Sequence, residues 1–324
     1  MNERHGMNFV RYAKWYSIIP IAIIFAGLLV VLFFNFNLGL DFTGGRIIII
    51  SGFAENDISA TREIASEEMK TAGINLGSTQ FQQEDRTNGG GTVLSAKFPN
   101  PKGIDLNDDA AAKTFFNNLQ ASINAKLAAG GYQAIVIEQS DSLSASASSQ
   151  RILNVFISVF AALLLILIYM LFRFKFNSGV SAVVGLFHDV LVMAALVAIF
   201  RIQINFVFVA AAITVAAYSL NNTLILFDRV RTKEKDLQSK LTTEEMVDTS
   251  IKEIFGRTLM TTIVTVIPVL ILSILGVPLI KEFSFPILFG LLAGLGATLF
   301  LTPGLYVRFE NARKARTKKK VAVK

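Results

Sequence analysis

Six apolar runs punctuate the chain, at residues 17–34, 152–172, 179–200, 206–227, 258–279 and 283–307, and polar segments separate them. A helix rising about 1.5 Å per residue needs about 20 residues to cross a hydrocarbon core of about 30 Å. Each run is long enough, so six membrane-spanning helices are predicted. A basic start (Arg4, Arg11, Lys14) precedes the first run, as in a cleavable leader. The run is longer than a leader's apolar core, and "NFNLGLDFTGG" after it lacks a small-residue cleavage pattern, so an uncleaved anchor is expected.

Between the first two runs the periodicity changes to that of a small α+β domain, residues 36–149. "RIIIISG" (46–52) reads as a buried strand closed by Gly52. Residues 57–72 read as a helix: Asp57 can cap it, and Ile58, Ile64, Ala65 and Met69 recur near helical spacing. Strands are expected at 78–83 and 92–98, separated by the turn "EDRTNGGG". A second helix at 107–128 ends at Gly130 and Gly131, and "YQAIVIEQ" (132–139) supplies the last strand. The order β-α-β-β-α-β is that of the ferredoxin-like split unit. "SDSLSASASSQ" then reads as a polar linker back to the membrane.

Helical period appears once more between the fourth and fifth runs. Thr242-x-x-Glu245 forms a capping box, and Val247, Ile251, Ile254 and Phe255 follow at helical spacing. A short amphipathic helix at about 243–256, lying on the cytoplasmic surface, is expected.

Charge orients these elements, because short loops obey the positive-inside rule and long translocated domains do not. Three basic residues precede the first span, Arg173 and Lys175 follow the second, seven lie between Arg229 and Arg257, and eight lie from Arg308 to Lys324. The short loops opposite carry only Arg201 and Lys281. The expected organisation is a cytoplasmic N-terminus (1–16), helix 1 (17–35), an extracytoplasmic domain (36–149), helices 2–6 (150–307) and a basic cytoplasmic tail (308–324). The formal charge of +7 is thus a topology signal and a basic tail, and it does not argue for nucleic acid.

Composition agrees: mean hydropathy is +0.53, and 52% of residues are hydrophobic against 17% charged. With no cysteine, the chain has no disulfide framework, thiolate metal site or cysteine nucleophile. The outside domain contains no His, no Gly-rich phosphate loop after a strand and no carboxylate cluster at metal spacing. Neither an enzyme nor a cofactor or metal site is expected, and a domain tied to the membrane at both ends suggests contact with another polypeptide.

Polar residues inside the spans carry sharper information, since an ionisable group near a span's middle costs about 2.5 to 3.5 kcal/mol on insertion scales. His188 and Asp189 lie near the centre of the third span, on a stripe with Ser181 and Gly185. Thr214, Tyr218 and the pair Asn221 and Asn222 form a similar stripe in the fourth span. Arg257, Thr261 and Thr265, with Thr258 and Thr262 beside them, form a third. Threonines can bond back to their own helix, so the third stripe alone fits packing as well as function. Three converging stripes favour a hydrated relay or a switchable ion pair. In the sixth span, Gly290 and Gly294 stand in G-x-x-x-G spacing and predict close helix packing rather than chemistry.

Four segments now carry a resemblance. "GLDFTGG" (39–45), "FRFKF…GLFHDV" (172–190), "VAAAITVAAYSLNNTLILFDRVR" (209–231) and "GRTLMTT" (256–262) resemble, in this order, the signature segments of the SecF family. SecF is the membrane subunit that works with SecD beside the Sec protein-conducting channel. The resemblance covers nearly the whole chain. It implies a polytopic α-helical membrane protein, a six-helix RND-like half-unit with one extracytoplasmic ferredoxin-like domain between helices 1 and 2.

By function, the resemblance implies a subunit that uses the proton gradient to pull or release preproteins on the far side of the cytoplasmic membrane. Implied partners are SecD, the SecYEG channel, unfolded preprotein clients, the lipid bilayer and a YajC or YidC-like component. Asp41, Phe42, Gly44 and Gly45 match the motif after helix 1. The family's His-Asp pair falls on His188 and Asp189 and its arginine on Arg257. Tyr218, Asn221, Asn222 and Thr261 complete the implied intramembrane site.

One position departs from the family. Its fourth-span motif carries an Asp regarded as part of the proton path, and here that position is Asn222. An amide can hydrogen-bond but cannot take up and release a proton near physiological pH. Three accounts fit: Asp189 and SecD carboxylates carry the proton, Asn222 breaks coupling, or another ion is used. Arg257 must then pair with Asp189, a SecD carboxylate or water. A coupled motor subunit and a non-coupled scaffold subunit both remain open. A stand-alone RND-type small-molecule exporter fits less well, because this chain is half of the usual twelve-span unit.

Overall fold

The computed structural model of the chain describes residues 8–39, 42, 45–74, 76, 79–85, 92–101, 104, 106, 108–143, 145–236 and 241–322. It forms two compact units, one from Leu38–Phe156 and one from Met1–Asn37 with Ile157–Lys324.

The smaller unit contains β1 (Gly45–Ser51), a short 3₁₀ turn (Glu55–Asp57), α2 (Ile58–Thr71), β2 (Gln80–Asp85), β3 (Thr92–Phe98), α3 (Asp109–Ala129) and β4 (Val136–Leu143). The sheet order is β2-β3-β1-β4, and every neighbouring pair is antiparallel. Alternation along β1 sends Ile48 and Ile50 to one face, where Leu94, Ala96 and Phe98 of β3 join them. Against that face lie Ala65 and Met69 of α2 and Phe116, Leu119, Ile123 and Leu127 of α3. Each fully buried large side chain of this set contributes about 1.5–3 kcal/mol of hydrophobic stabilisation.

Local chemistry sets the element ends. Asp108 caps α3, its side chain accepting from the Ala110 N–H at 3.2 Å, whereas Asp57 stands at the start of α2 without a side-chain capping bond. At the end of α3 the Tyr132 N–H bonds the Leu127 carbonyl, with Gly131 at φ +78°. The last strand then starts later than expected. Asn124 accepts from the Ile135 N–H at 2.7 Å and donates to its carbonyl at 3.1 Å, so this stretch pairs with a helix side chain before β1 takes over at Val136.

The expected polar linker is also corrected. Residues 140–143 belong to β4, with Ser142 opposite Arg46 and Leu143 opposite Gly45, and a helix resumes at Ala145. Of the expected turn, Glu84 and Asp85 end β2, while 86–91 lie outside the described residues, as do Asp41 and Gly44 of the motif after helix 1. Gly45 opens β1, and the Phe42 N–H bonds the Gly39 carbonyl.

The membrane unit contains α1 (Phe9–Phe34), the part of α4 (Ala145–Arg173) from Ile157 on, α5 (Phe176–Ile199), α6 (Phe206–Asp236), α7 (Thr243–Leu275), α8 (Pro278–Gly296), a π-helical segment (Ala297–Leu301) and α9 (Thr302–Ala322). Six stretches among the described residues are long and apolar enough to span a membrane. Several helices overrun their apolar runs. The expected separate helix at 243–256 is the first half of α7: Gly256 does not break it, and the capping box of Thr242 and Glu245 starts the continuous helix. Past the sixth span, α9 carries the basic tail in helical form to Ala322.

Half of the apolar window of α5 and 56% of the sixth span's are buried, against 11% for α1 and 17% for α7. The interior of this unit is therefore built mainly on α5 and the sixth span, while α1 and α7 present apolar side chains outward. One end is locked by a reciprocal pair: Asn37 donates its side-chain amide to the Arg201 carbonyl at 2.9 Å, and the Arg201 guanidinium donates to the Asn35 carbonyl. Both Asn35 and Arg201 sit at φ +55°, a left-handed conformation that this lock helps to hold.

Candidate functional site

The site is centred on Asp189, fully buried within α5. Its Oδ2 accepts a hydrogen bond from the Ser219 hydroxyl of α6 at 2.5 Å, and its Oδ1 lies 2.9 Å from Nδ1 of His188. The other ring nitrogen of His188, Nε2, is buried and has no hydrogen-bond partner among the described residues. Gly294 of α8 closes this side: a Cβ there would stand 3.3 Å from Asp189 Oδ2 and 3.8 Å from the Ser219 Cβ. Gly290 brings α8 still closer to Val215 of α6, whose Cγ2 would stand 2.3 Å from a Cβ there. The small-residue motif therefore does more than pack helices, because it puts the sixth span against the buried carboxylate.

Two further elements reach this centre. Tyr16 of α1 places its ring 6.1 Å from that of His188, stacks on Phe300 at 5.3 Å and donates to the Ala293 carbonyl at 3.3 Å. The π-helical segment follows directly, and such interruptions concentrate at functional positions. Thr298 within it and Thr302 after it are buried, with hydroxyls lacking a hydrogen-bond partner among the described residues. Thr302 Oγ1 stands where a Cβ on Gly185 would fall.

The fourth-span stripe divides. Asn221 is exposed, and Thr214 is exposed with its hydroxyl bonded back to the Ala210 carbonyl at 2.8 Å. Tyr218 faces α7 and donates to Thr262 Oγ1 at 3.1 Å. Asn222 is fully buried, yet among the described residues neither its Nδ2 nor its Oδ1 has a hydrogen-bond partner. Ser219, which reaches Asp189, was missed by sequence reasoning. Its signal was a serine in a mid-span polar cluster, overshadowed by the asparagines beside it.

The fifth-span stripe divides as well. Thr258 and Thr262 are buried, with Thr262 donating to the Thr258 carbonyl at 2.9 Å. Arg257 is exposed, and Thr261 and Thr265 bond back to their own helix at 2.7 and 2.9 Å. Among the described residues Arg257 makes no ion pair, and Asp189 is not its partner. The three stripes thus do not converge on one point. Adjacent residues of α6 serve two contacts, Ser219 toward α5 and Tyr218 toward α7.

Chemically, the Asp189 cluster offers one group that can gain or lose a proton, a neighbouring imidazole and a hydroxyl that can donate or accept. The Asn222 position offers only an amide. Among the described residues no three or more His, Asp or Glu side chains gather in a way that could hold a metal ion.

Comparison with known proteins places this geometry. The family model described as protein export membrane protein SecD/SecF, C-terminal, matches residues 123–312. The protein translocase subunit SecF of Helicobacter pylori (strain 26695) is 29% identical over 301 residues, covering 92% of this chain and 85% of that one. SecF of Petrotoga mobilis is 27% identical over 316 residues, covering 95% of this chain and 98% of that one. The crystal structure of SecDF in its super-membrane-facing form aligns with a TM-score of 0.71 at 24% identity, a likeness of fold. It covers 97% of this chain, which spans 40% of that longer one.

Proposed function

Because this chain belongs to the SecD/SecF family of protein export membrane proteins, we propose that it is the SecF-type subunit of a Sec translocase. In this reading it works with SecD beside the SecYEG channel, and YajC or a YidC-like insertase joins the assembly. It assists export of unfolded preproteins across the cytoplasmic membrane. Relatives named SecDF, whose chains are more than twice as long, support a SecD partner. The spans form an RND-like half-unit with both termini cytoplasmic. The β-α-β-β-α-β unit, with its sheet order β2-β3-β1-β4, is a ferredoxin-like domain on the extracytoplasmic side, and the order supports that assignment.

The observation that carries the reading is the Asp189 carboxylate, buried between helices and held by Ser219 and His188, with no arginine or lysine partner among the described residues. A carboxylate accepts from both neighbours, whereas a carboxylic acid must donate one hydrogen bond. Gain or loss of one proton therefore changes the hydrogen bonds joining α5 to α6, and the helices repack. Inward movement of a proton releases about 2.3 kcal/mol per 100 mV of membrane potential, enough to bias two arrangements differing by a few kcal/mol. Arg257, on the outward face of α7, pairs with a carboxylate of the SecD half.

A second reading, a scaffold subunit without coupling, is favoured by Asn222. It fills a buried position in the fourth span, has no hydrogen-bond partner among the described residues and cannot titrate.

The test is preprotein export by proteoliposomes holding this chain, its SecD partner and the channel, with and without an imposed proton gradient. Under the coupled reading, Asp189→Asn removes the gradient-dependent part of export and leaves the gradient-independent part. Equal gradient response in parent and variant supports the scaffold reading.

A further inference from the structure

At one end of the membrane unit, the first turns of α1, α7 and α9 line an open cavity of about 750 Å³. Arg11 and Lys14 of α1 and Arg308 of α9 line it, and all three are exposed and make no ion pair among the described residues. Arg11, Lys14 and Trp15 share one face of α1, being three and four residues apart. Trp15 is 71% exposed and begins the apolar part of that helix, where amphipathic rings settle at the headgroup level of a bilayer.

Carboxylates line the cavity as well, on α7: Glu244, Glu245 and Asp248. Two are engaged with helix starts. Asp248 Oδ1 accepts from the Val10 N–H of α1 at 3.0 Å, and Glu245 accepts from the Thr242 N–H at 2.8 Å and its hydroxyl at 2.9 Å. Glu244 is exposed and has no such bond. The cavity therefore offers three cations on α1 and α9 and, on α7, one carboxylate that among the described residues is not engaged with a helix start.

We infer that this cavity holds the headgroup of an aminophospholipid, with the phosphodiester against Arg11, Lys14 and Arg308 and the primary ammonium against Glu244. The mixed lining decides between lipid classes. A purely anionic headgroup leaves Glu244 facing like charge, whereas a zwitterion with an N–H donor meets both sides. A quaternary ammonium cannot donate a hydrogen bond to Glu244, so phosphatidylethanolamine is held in preference to phosphatidylcholine. The inference is independent of proton coupling and of SecD.

The experiment is native mass spectrometry of the full chain in detergent. The chain is titrated with phosphatidylethanolamine, phosphatidylcholine and phosphatidylglycerol of identical acyl chains, and with water-soluble glycerophosphoethanolamine. One charge contact near a membrane surface is worth about 1 kcal/mol, so a preference of about fivefold for phosphatidylethanolamine over phosphatidylcholine is expected. Glu244→Gln, at an exposed position, is expected to erase that preference while phospholipid binding persists. Lys14→Ala with Arg308→Ala is expected to weaken all three lipids. Equal binding of the two zwitterionic lipids, tighter binding of phosphatidylglycerol, or a preference that survives Glu244→Gln overturns the assignment. Competition by glycerophosphoethanolamine as strong as by the intact lipid overturns the membrane as its source.

Discussion

The Ser219 hydroxyl donates to Asp189 Oδ2 at 2.5 Å, joining α6 to α5 inside the membrane unit. Among the described residues no other hydrogen bond reaches that oxygen, and loss of this one leaves a buried acceptor unsatisfied at a cost of about 1–3 kcal/mol. Ser219→Ala is expected to lower thermal stability in detergent by that order. In the Asp189→Asn background the same change is expected to cost less, because the two residues act as one unit. Strict additivity in this double-mutant cycle would show that the bond does not couple the helices.

At Asn222, isosteric replacement by an apolar side chain sacrifices no protein hydrogen bond. Asn222→Leu is therefore expected to be neutral or stabilising, within about 1 kcal/mol, since the amide is already buried unpaired. Asn222→Asp is expected to raise gradient-dependent export above the parent if the fourth-span position lies on the proton path. Unfolding midpoints check the first expectation and proteoliposome export the second. A loss of several kcal/mol in Asn222→Leu would contradict the unpartnered amide.

Gly290 leaves no room for a side chain, because a Cβ there meets both methyls of Val215. Overpacking of this kind costs about 1–3 kcal/mol. Gly290→Ala should destabilise the chain by that order, and adding Val215→Ala should recover most of it. Failure of the second change to rescue the first would place the strain elsewhere.

On the sheet domain's surface, Lys126 of α3 reaches Glu68 at 2.8 Å and Glu67 at 3.0 Å on α2. These hydrogen bonds raise its titration above the ordinary 10.5, Glu68 contributing most. A raised amine stabilises the folded state fully below the unfolded value, and the contribution is lost as pH rises through the folded value. The pH dependence of this contribution, its loss on alkalinisation, is thus confined to pH above 10.5. Side-chain NMR of Lys126 is expected to show a titration that falls toward the ordinary value in Glu68→Gln, and no change would remove Glu68 as the cause.

Much of this architecture is legible in the sequence, because hydropathy and turn chemistry are local properties. Six apolar runs, the capping box at Thr242 and the alternation of strands and helices between residues 45 and 143 all need only neighbours along the chain. Element ends were less legible where a distant group intervened. Asn124 delays β4 by holding Ile135, and α7 continues through Gly256, where the composition suggested two helices.

The site itself depended on something no local pattern contains, the rotation of each span about its own axis. Asn221 and Asn222 are equivalent in composition, yet one faces out and the other is fully buried. Arg257 and Thr258 divide in the same way on α7. An apolar span has little difference between its faces, so a lipid-facing and a protein-facing side can look alike in sequence. Packing chooses between them: Gly290 against Val215 and Gly294 against Asp189 and Ser219 set how α8 seats on α5 and α6. The sequence alone identified the buried titratable group, while tertiary contact made Ser219, rather than Asn222 or Arg257, the residue that holds it from another helix.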